Sequence, residues 1–229
     1  MAEIALVLVC KRPASGNGKQ RLAASLGLEA ANQIAEALLA CALEDACDWV
    51  GPVVIAPAHP ADYAWADSLL PQLQPRVRIQ PQATGNLGQR LNILDSELRG
   101  AGLEQLVYIG SDAPALAVDD YVAVSDALLH YDTVLTPAED GGVVLMASCR
   151  QWPVLSGLPW STGRLGMALA DCCRAAGQSI ATLKRGFDVD EQDDLFRLAT
   201  ALSTDHRPAR RMLHALACDL VQLREAGHV

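Results

Sequence analysis

Short apolar runs alternate along this chain with longer segments that have a helical apolar period. The run IALVLVC, residues 4–10, is apolar throughout, which is typical of a strand buried on both faces of a parallel sheet. Residues 29–49 are rich in Ala and Leu with a helical period and predict a helix. The same reasoning predicts strands at residues 52–56, 77–80, 106–109, 133–135, 143–147 and 180–183, and helices at residues 62–70, 87–98, 119–129, 193–202 and 210–226.

This alternation predicts an α/β protein, a three-layer αβα sandwich in which helices cover both faces of a mixed, mainly parallel sheet. The length of 229 residues fits one domain that spans residues 1–229 and is closed by helices between about residues 193 and 226. Ligands of such folds bind at the carboxyl ends of the strands. Functional side chains are therefore expected where the predicted strands end.

The composition narrows the choice of partners. The formal net charge of −9 argues against nucleic acid or an anionic membrane as the main partner. A small phosphorylated ligand stays compatible with it, because local cations can outweigh the total charge. Hydrophobic residues make up 51% of the chain, which is enough for a substantial core.

The cysteines and the first apolar run bear on location. Seven cysteines, an odd number with no CxxC or Cys/His zinc spacing, favour reduced thiols. Residues 4–10 are too few to span a bilayer and lack the flanks of a secretory signal. We expect a soluble, cytoplasmic protein without a membrane partner.

The loop after the first predicted strand, CKRPASGNGKQRL, combines cations with glycines. Such a loop can hold phosphate, because glycine lets backbone N–H groups approach the ligand closely. It is not a Walker A loop, since Pro13 stands where the first Gly belongs and Gln20 follows the Lys. The alternative is a solvated basic turn. The residues concerned are Lys11, Arg12, Lys19 and Arg21, with Gly16 and Gly18 between them.

Two acidic motifs follow later in the chain. In GSDAPAL, Asp112 stands at the end of a predicted strand, where one carboxylate suits Mg²⁺; the alternative is a capping role in the turn before Pro114. In FDVDEQDDL, Asp188 and Asp190 would point the same way on an extended segment, and either could be a second metal ligand. The alternative for this run is a solvated acidic cap, with Asp193 and Asp194 in the first turn of a helix.

The acidic turn Glu139-Asp140-Gly141-Gly142 lies between two predicted strands. Asp-Gly is a common hairpin signal, so a purely structural turn is one interpretation. In the functional interpretation the glycines leave room for an acceptor, and Glu139 or Asp140 is a general base within hydrogen-bond reach of the attacking group.

Two further segments open predicted helices. The N-terminus at Gly85-Asn86-Leu87-Gly88-Gln89-Arg90 could face a phosphate or a base, or form an ordinary turn. In Pro159-Trp160-Ser161-Thr162, Ser161 or Thr162 is a candidate N-cap of a helix that runs to about Ala176. Trp160 could stack on a sugar, although a core position is commoner for Trp. No GxSxG elbow or His triad spacing supports nucleophilic catalysis.

Taken in order, these motifs resemble a bacterial family of transferases with the GT-A, or nucleotide-diphospho-sugar transferase, fold. Its members are often labelled glycosyltransferases and are associated with radical-SAM or arsenosugar gene clusters. The pattern K-x-P-x-x-G-x-x-K-T-R-L is matched at Lys11, Pro13, Gly16, Lys19, Arg21 and Leu22. Later matches are Gly85, Leu87, Gly88, Arg90, Gly110, Ser111, Asp112, Pro114, Leu116, Glu139 to Gly142, Trp160 to Thr162, Asp188, Val189, Asp190, Asp194 and Leu195. The chain departs from the pattern at Gln20, Asn86 and Val143, where the family has Thr, Asp and Tyr.

The resemblance implies Mg²⁺ or Mn²⁺ as cofactor, held by Asp112 with Asp188 or Asp190. It implies a catalytic set of Lys19, Arg21, Asp112, Glu139 and Asp140. The nucleotide side would comprise Lys11, Pro13, Gly16, Lys19, Arg21, Gly85, Leu87, Gly88, Arg90 and Ser111, and the acceptor side Gly141, Gly142, Trp160, Ser161 and Thr162.

Three functions fit this reading. The first is transfer of a sugar from a nucleotide sugar to a small acceptor. The second is nucleotidyl transfer from an NTP to a phosphorylated small molecule with release of pyrophosphate, as in the cofactor guanylyltransferases that share this fold. The third, motivated by the three departures, is non-catalytic nucleotide binding. A homodimer is compatible with the Ala/Leu face of the last predicted helix.

Overall fold

A computed structural model describes residues 3–13, 19–73 and 76–225 of the chain. Gly16 and Gly18 of the first loop lie outside these residues. Two short 3₁₀ turns, Pro60–Asp62 and Pro71–Leu73, accompany the main elements. In chain order these are β1 (Ile4–Cys10), α1 (Gln20–Leu26), α2 (Leu28–Asp48), β2 (Val53–Pro57), α3 (Tyr63–Asp67), β3 (Val77–Ile79), α4 (Leu87–Gly100), β4 (Gln105–Ile109), α5 (Val118–Ala127), β5 (Thr133–Pro137), β6 (Val143–Ser148), α6 (Leu165–Ala175), β7 (Ile180–Thr182), α7 (Asp194–Ala201) and α8 (Pro208–Glu225).

The strands form one seven-stranded sheet in the order β3-β2-β1-β4-β6-β5-β7. Neighbouring strands are parallel from β3 to β4 and between β5 and β7, whereas β6 runs antiparallel to both β4 and β5. The carboxyl ends of β1, β2, β4 and β5 therefore lie at the same edge of the sheet. The first basic loop, the Asp112 loop and the acidic turn all follow strands that end at that edge.

Alternation along β1 builds the layers on the two faces of the sheet. Leu6 and Leu8 point to one face, where they join a core that includes residues of α2, α3 and α5. Ala5 and Val7 point to the other face and pack with residues of α4 and α6. The three-layer αβα prediction is therefore confirmed, and both cores use mainly aliphatic side chains.

A third apolar cluster joins helices to one another. Leu22 of α1 and Ile34 and Leu38 of α2 pack with Leu198 of α7 and Leu213 of α8, and all five are almost fully buried. Burial of this face ties the end of the chain to the segment that follows the first loop. Among the helices of the described residues, none is long and apolar enough to cross a membrane.

The structure departs from the predicted elements in three places. Helix α1 was not predicted, because its seven residues continue directly from the basic loop. The helix predicted at residues 62–70 is only α3, flanked by the two 3₁₀ turns. Ser161 and Thr162 are not the N-cap of α6: the helix begins at Leu165 after Arg164, and Ser161 adopts a left-handed φ of 60°.

A buried arginine holds α8 against the rest of the fold. Arg210 has no exposed surface, and its guanidinium lies 2.6 Å from Asp45 and 2.9 Å from Glu44 of α2. Its Nε donates to the carbonyl of Pro114, two residues after Asp112. Arg207 adds bonds of 2.9 Å to Asp45 and to the carbonyl of Leu116. The two arginines thus join α2, α8 and the loop that carries Asp112.

We predict that Arg210→Met lowers the free energy of unfolding by about 3–5 kcal/mol, because it leaves buried carboxylate and carbonyl groups without a donor. Arg211→Met is the matched control, since Arg211 is exposed on the same helix. Urea denaturation of both variants measures the difference. Equal stability of the two variants would contradict the structural role of Arg210.

Candidate active site

A cleft of about 470 Å³ opens at the carboxyl edge of the sheet. Residues from the ends of β1, β4 and β6 and from α4 and α6 line it. The segments predicted to carry the chemistry meet here, although they are far apart in sequence. Of the predicted site residues, the cleft is lined by Lys11, Pro13, Lys19, Arg21, Leu87, Arg90, Ser111, Asp112, Asp140, Gly142, Trp160, Ser161, Thr162, Asp188 and Asp190.

Three carboxylates converge in this cleft. One oxygen from each of Asp112, Asp188 and Asp190 lies within 4.8 Å of the others. The backbone N–H of Val189 donates to the carbonyl of Asp112 at 2.9 Å, and this bond fixes the two chain segments to each other. The expectation that Asp188 and Asp190 point the same way is met, with Val189 buried between them.

Asp188 is the carboxylate of this group whose pKa is raised by its surroundings. Burial, followed by the charges of Asp112, Asp140 and Asp190, raises the pKa of Asp188 to about 6. Three clustered carboxylate oxygens are the hard ligands that Mg²⁺ and Mn²⁺ prefer. The donor set present therefore fits a divalent metal, and the metal would relieve the repulsion.

The side chain of Lys19 contacts the acidic cluster, the group formed by Asp112, Asp188 and Asp190, instead of pointing freely into the cleft. Its ammonium lies 2.9 Å from Asp190 and 3.7 Å from Asp112, and it donates a short hydrogen bond to the carbonyl of Val189. Its backbone is left-handed, with φ 45° and ψ 39°, immediately before α1. Arg21 makes a more exposed ion pair with Glu191 at 3.3 Å. Both cations of this segment thus connect the first loop to residues 189–191.

Arg90 differs from Lys19 and Arg21, which contact carboxylates, in that its buried Nε lacks a partner among the described residues. It lies on α4 in the cleft wall. Burial lowers the pKa of the guanidinium, with no opposing cause. A desolvated cation of this type is suited to an anionic group of a ligand.

The glycines that open α4 serve the fold. Gly85 has φ +118° beside the Asn86–Gln89 capping box. Gly88 lets α4 approach the next loop, since a Cβ there would lie 2.2 Å from the carbonyl of Leu155. Neither Gly85 nor Gly88 lines the cleft. Their predicted contact with a nucleotide stays a prediction.

Asn86, where the resembled family has Asp, has a structural explanation. Its Oδ1 accepts from the N–H of Gln89 at 3.0 Å, as an Asp would. Its Nδ2 also donates to the carbonyl of Ser156 at 3.0 Å, which a carboxylate cannot do. The substitution therefore fastens α4 to the loop before Trp160.

The two carboxylates of the acidic turn, Glu139 and Asp140, lie in different surroundings. Asp140 lines the cleft and its Oδ1 accepts from the N–H of Gly142 at 2.7 Å. Glu139 is exposed outside the cleft lining and pairs with Arg197 of α7. Of the two candidate bases, only Asp140 faces the cleft.

Gly141 was predicted to leave room for an acceptor, but the space beside it is filled by the backbone of Gly163. It has φ +90°, and a Cβ there would lie 2.0 Å from the carbonyl of Gly163. A Cβ on Gly166 would in turn meet the carbonyl of Gly142 at 2.9 Å, and Gly166 N–H donates to Gly141. The β5–β6 turn thus packs directly on the start of α6. Of its two glycines, only Gly142 lines the cleft.

The segment before α6 lines the far side of the cleft. The indole Nε1 of Trp160 donates to the carbonyl of Leu155 at 2.9 Å, so the ring is partly buried and held in place. Thr162 Oγ1 donates to the carbonyl of Pro159 at 2.7 Å, and Ser161 lies exposed beside it. All three residues line the cleft, and their predicted contact with an acceptor stays a prediction.

Sequence reasoning missed Gln82, which is only 2% exposed yet lines the cleft. Its Nε2 donates to the carbonyl of Ala56 at 2.6 Å, and its buried Oε1 has no partner in the part of the chain that the structure describes. A lone Gln in a proline-flanked turn carries no pattern that would have revealed it. Buried Arg210 and partly buried Arg207 were also missed, because no local sequence pattern marks them.

The chain belongs to a bacterial protein family: residues 21–162 match the model described as "Uncharacterized protein conserved in bacteria (DUF2064)". No curated protein matches its sequence significantly. The family match, together with the similar solved structures described next, confirms the resemblance to a bacterial family with the nucleotide-diphospho-sugar transferase fold.

Solved structures support the same fold. A protein from Desulfovibrio desulfuricans G20, provisionally described as a nucleotide-diphospho-sugar transferase, is similar with a TM-score of 0.84 and 22% identity, over 99% of this chain and 98% of that one. A 4-diphosphocytidyl-2C-methyl-D-erythritol synthase from Anaerococcus prevotii DSM 20548 has a TM-score of 0.52 and 10% identity, over 85% and 96%. A CMP:2-keto-3-deoxy-manno-octonic acid synthetase complexed with CTP has 0.52 and 12%, over 88% and 99%. At these identities the likeness establishes the fold alone.

We predict that Asp188→Asn raises the melting temperature in metal-free buffer at neutral pH by roughly 2–4 °C, the shift that about 1 kcal/mol gives in a chain of this size. The pKa of Asp188 is raised from 3.8 to about 6, so the ionised side chain costs stability above pH 6. The gain should fade as the pH drops from 6 towards 4, where the native carboxyl is itself protonated.

Thermal unfolding across this pH range measures the effect, with Asp119→Asn in the first turn of α5 as the control. A variant that melts at or below the wild-type temperature at neutral pH would show that the ionised Asp188 carboxylate, buried among other carboxylates, does not cost stability.

Proposed function

We propose that this protein is a Mg²⁺- or Mn²⁺-dependent transferase that uses a nucleotide-activated donor, and that its reaction is glycosyl transfer from a nucleotide sugar to a small acceptor. The observation that carries the proposal is the convergence of three carboxylates and a set of cations in one cleft at the carboxyl edge of the sheet. A nucleotide–metal complex needs both kinds of group, and the cleft volume falls within the usual range for small-molecule sites.

The donor phosphates would lie between the first loop and the acidic cluster. Lys11, Lys19 and Arg21 provide positive charge on this side, and Arg90 provides a desolvated guanidinium on the α4 side. Asp112, Asp188 and Asp190 would hold the metal. The similarity in fold to the Desulfovibrio protein, over nearly the whole of both chains, supports a nucleotide-sugar donor.

In the proposed reaction an acceptor hydroxyl attacks the anomeric carbon, a new C–O bond forms, and the bond from that carbon to the phosphate oxygen breaks. Asp140 takes the hydroxyl proton, because it is the carboxylate of the acidic turn that faces the cleft. Lys19 and Arg90 stabilise the charge that grows on the departing nucleoside diphosphate. A metal bound at the carboxylates would neutralise the same charge.

The acceptor would enter beside Gly142 and Trp160. Here the partly buried indole offers an apolar surface, while the exposed Ser161 and Thr162 offer hydroxyl groups. Val143 replaces the Tyr of the resembled family in the same wall, which removes one aromatic ring and one hydroxyl. We infer that the acceptor differs from that of relatives with Tyr.

Nucleotidyl transfer is the second candidate, favoured by two observations. Two of the similar folds are named as a 4-diphosphocytidyl-2C-methyl-D-erythritol synthase and a CMP:2-keto-3-deoxy-manno-octonic acid synthetase, the latter complexed with CTP. The end of β4 also offers a lone carboxylate, Asp112, and not a DxD pair; the other two carboxylates, Asp188 and Asp190, come from a separate segment that follows β7. In this reaction an acceptor phosphate attacks the α-phosphorus of an NTP and pyrophosphate leaves.

Donor binding and product analysis distinguish the two reactions. Nucleotide sugars and NTPs are compared, each with Mg²⁺ and with EDTA, by the change in melting temperature. Glycosyl transfer predicts Mg²⁺-dependent stabilisation by a nucleotide sugar and release of a nucleoside diphosphate. Nucleotidyl transfer predicts stabilisation by an NTP and release of pyrophosphate. Absence of a shift with every nucleotide would refute both and leave neither enzyme assignment standing.

Asp112→Asn should abolish the Mg²⁺-dependent part of that stabilisation, because it removes a proposed metal ligand, and should leave the protein folded, because the Asp112 side chain is 43% exposed and is not a core residue. Asp119→Asn again serves as the control for the loss of one carboxylate. Isothermal titration with Mg²⁺ and the best donor measures the effect. Unchanged metal dependence in Asp112→Asn would remove this residue from the metal site.

A further inference from the structure

The ammonium of Lys19 stands where a cation is needed. It is the closest positive charge to the acidic cluster among the described residues, at 2.9 Å from Asp190 Oδ1 and 3.7 Å from Asp112 Oδ2. Its side chain is only 13% exposed, whereas those of Asp190 and Asp112 are 47% and 43% exposed, so the ammonium is shielded from water while the carboxylates remain open to a ligand. The hydrogen bond to the carbonyl of Val189 holds the ammonium between the two carboxylates.

A divalent metal would need oxygens of the same carboxylates. A metal bound at the usual distance of about 2.1 Å from Asp190 Oδ1 would lie at most about 5 Å from the Lys19 nitrogen, given its 2.9 Å contact with that oxygen. Two cations so close repel each other even in a partly shielded site. Binding of the metal therefore opposes the present position of Lys19.

We propose that Lys19 is a built-in counter-cation of the acidic cluster, which a ligand's phosphates draw away, so that phosphate and metal bind cooperatively. This inference rests on the proposed function, because it takes the cluster as the metal site. Lys19 lies between the two kinds of anion: the carboxylates hold it before a ligand arrives, and phosphate offers an equivalent partner. Each ligand then raises the affinity for the other by the same factor.

The backbone of Lys19 is consistent with an exchange of partners. Its left-handed conformation is unfavourable for a residue with a side chain, and Lys19 is one of two such non-glycine residues in the described chain. The contacts with residues 189 and 190 offset this cost. A phosphate that takes over the ammonium would leave Lys19 without those contacts and free to change conformation.

The test is metal binding without nucleotide. Full-length protein is titrated with Mn²⁺ alone, and the free ion is followed by its electron paramagnetic resonance signal. Lys19→Gln removes the charge but keeps a group able to donate to Val189. Arg12→Gln is the control, because Arg12 also lines the cleft but has Asp62 as its ion-pair partner, at 3.9 Å.

We expect Lys19→Gln to bind Mn²⁺ roughly tenfold more tightly than the wild type, within the usual range of coupling between two sites. Arg12→Gln should change the Mn²⁺ affinity by less than about threefold, since its charge acts only through solvent. Inorganic pyrophosphate, titrated in EDTA, should bind more weakly to Lys19→Gln than to the wild type. Circular dichroism checks folding, and Lys19→Met replaces the Gln variant if the latter is unstable.

Two results would overturn the proposal while leaving the metal site in place. One is Mn²⁺ binding that depends on Asp112 but is unchanged or weaker in both Lys19 variants. The other is an equal gain in Arg12→Gln, which would reduce the effect to general electrostatics. Absence of Mn²⁺ binding by both the wild type and Lys19→Gln overturns the counter-cation together with the metal part of the proposed function.

Discussion

The buried guanidinium of Arg210 is the contact on which the geometry of the site depends. It joins two carboxylates of α2 and a carbonyl of the loop that follows Asp112, and Arg207 holds a second carbonyl of that loop. A buried charge that loses its partners is costly, so this network permits few alternative arrangements of α8. The helix at the end of the chain thereby supports a loop from its middle. Asp112 in turn receives the backbone bond from Val189, which brings the other two carboxylates to it.

The site that results combines attraction and repulsion. Three carboxylates are held together by backbone and packing, not by their own interaction, and the raised pKa of Asp188 records the cost. Lys19 offsets part of that cost from the first loop. Arg90 is the reverse case, a partly desolvated cation in the cleft wall whose buried Nε has no hydrogen-bond partner among the described residues. A ligand that carries phosphates and a divalent metal satisfies both, which is why the transferase proposal accounts for the charges better than a structural role does.

Glycines close to the site serve two purposes that a motif alone does not separate. Gly88, Gly141, Gly163 and Gly166 let one backbone approach another, and the Cβ atoms they lack would have met carbonyl oxygens. Gly142 remains in the cleft wall. The family-like Gly pairs are therefore partly a packing device that brings the β5–β6 turn onto α6 and α4 onto the Trp160 loop. The ligand meets the surfaces that this packing aligns.

The sequence by itself determined the fold class and most of the elements, because buried strands such as β1 and long amphipathic helices such as α2 have local patterns set by the periodicity of the backbone. It also identified the charged residues of the cleft, since chemistry at strand ends follows from a parallel sheet. Only the tertiary structure decided that Asp140 and not Glu139 faces the cleft, that Lys19 is bound to the acidic cluster, and that Gln82 and Arg210 are buried. These depend on contacts between segments up to about 170 residues apart, such as that of Lys19 with Asp190, and no local pattern encodes them.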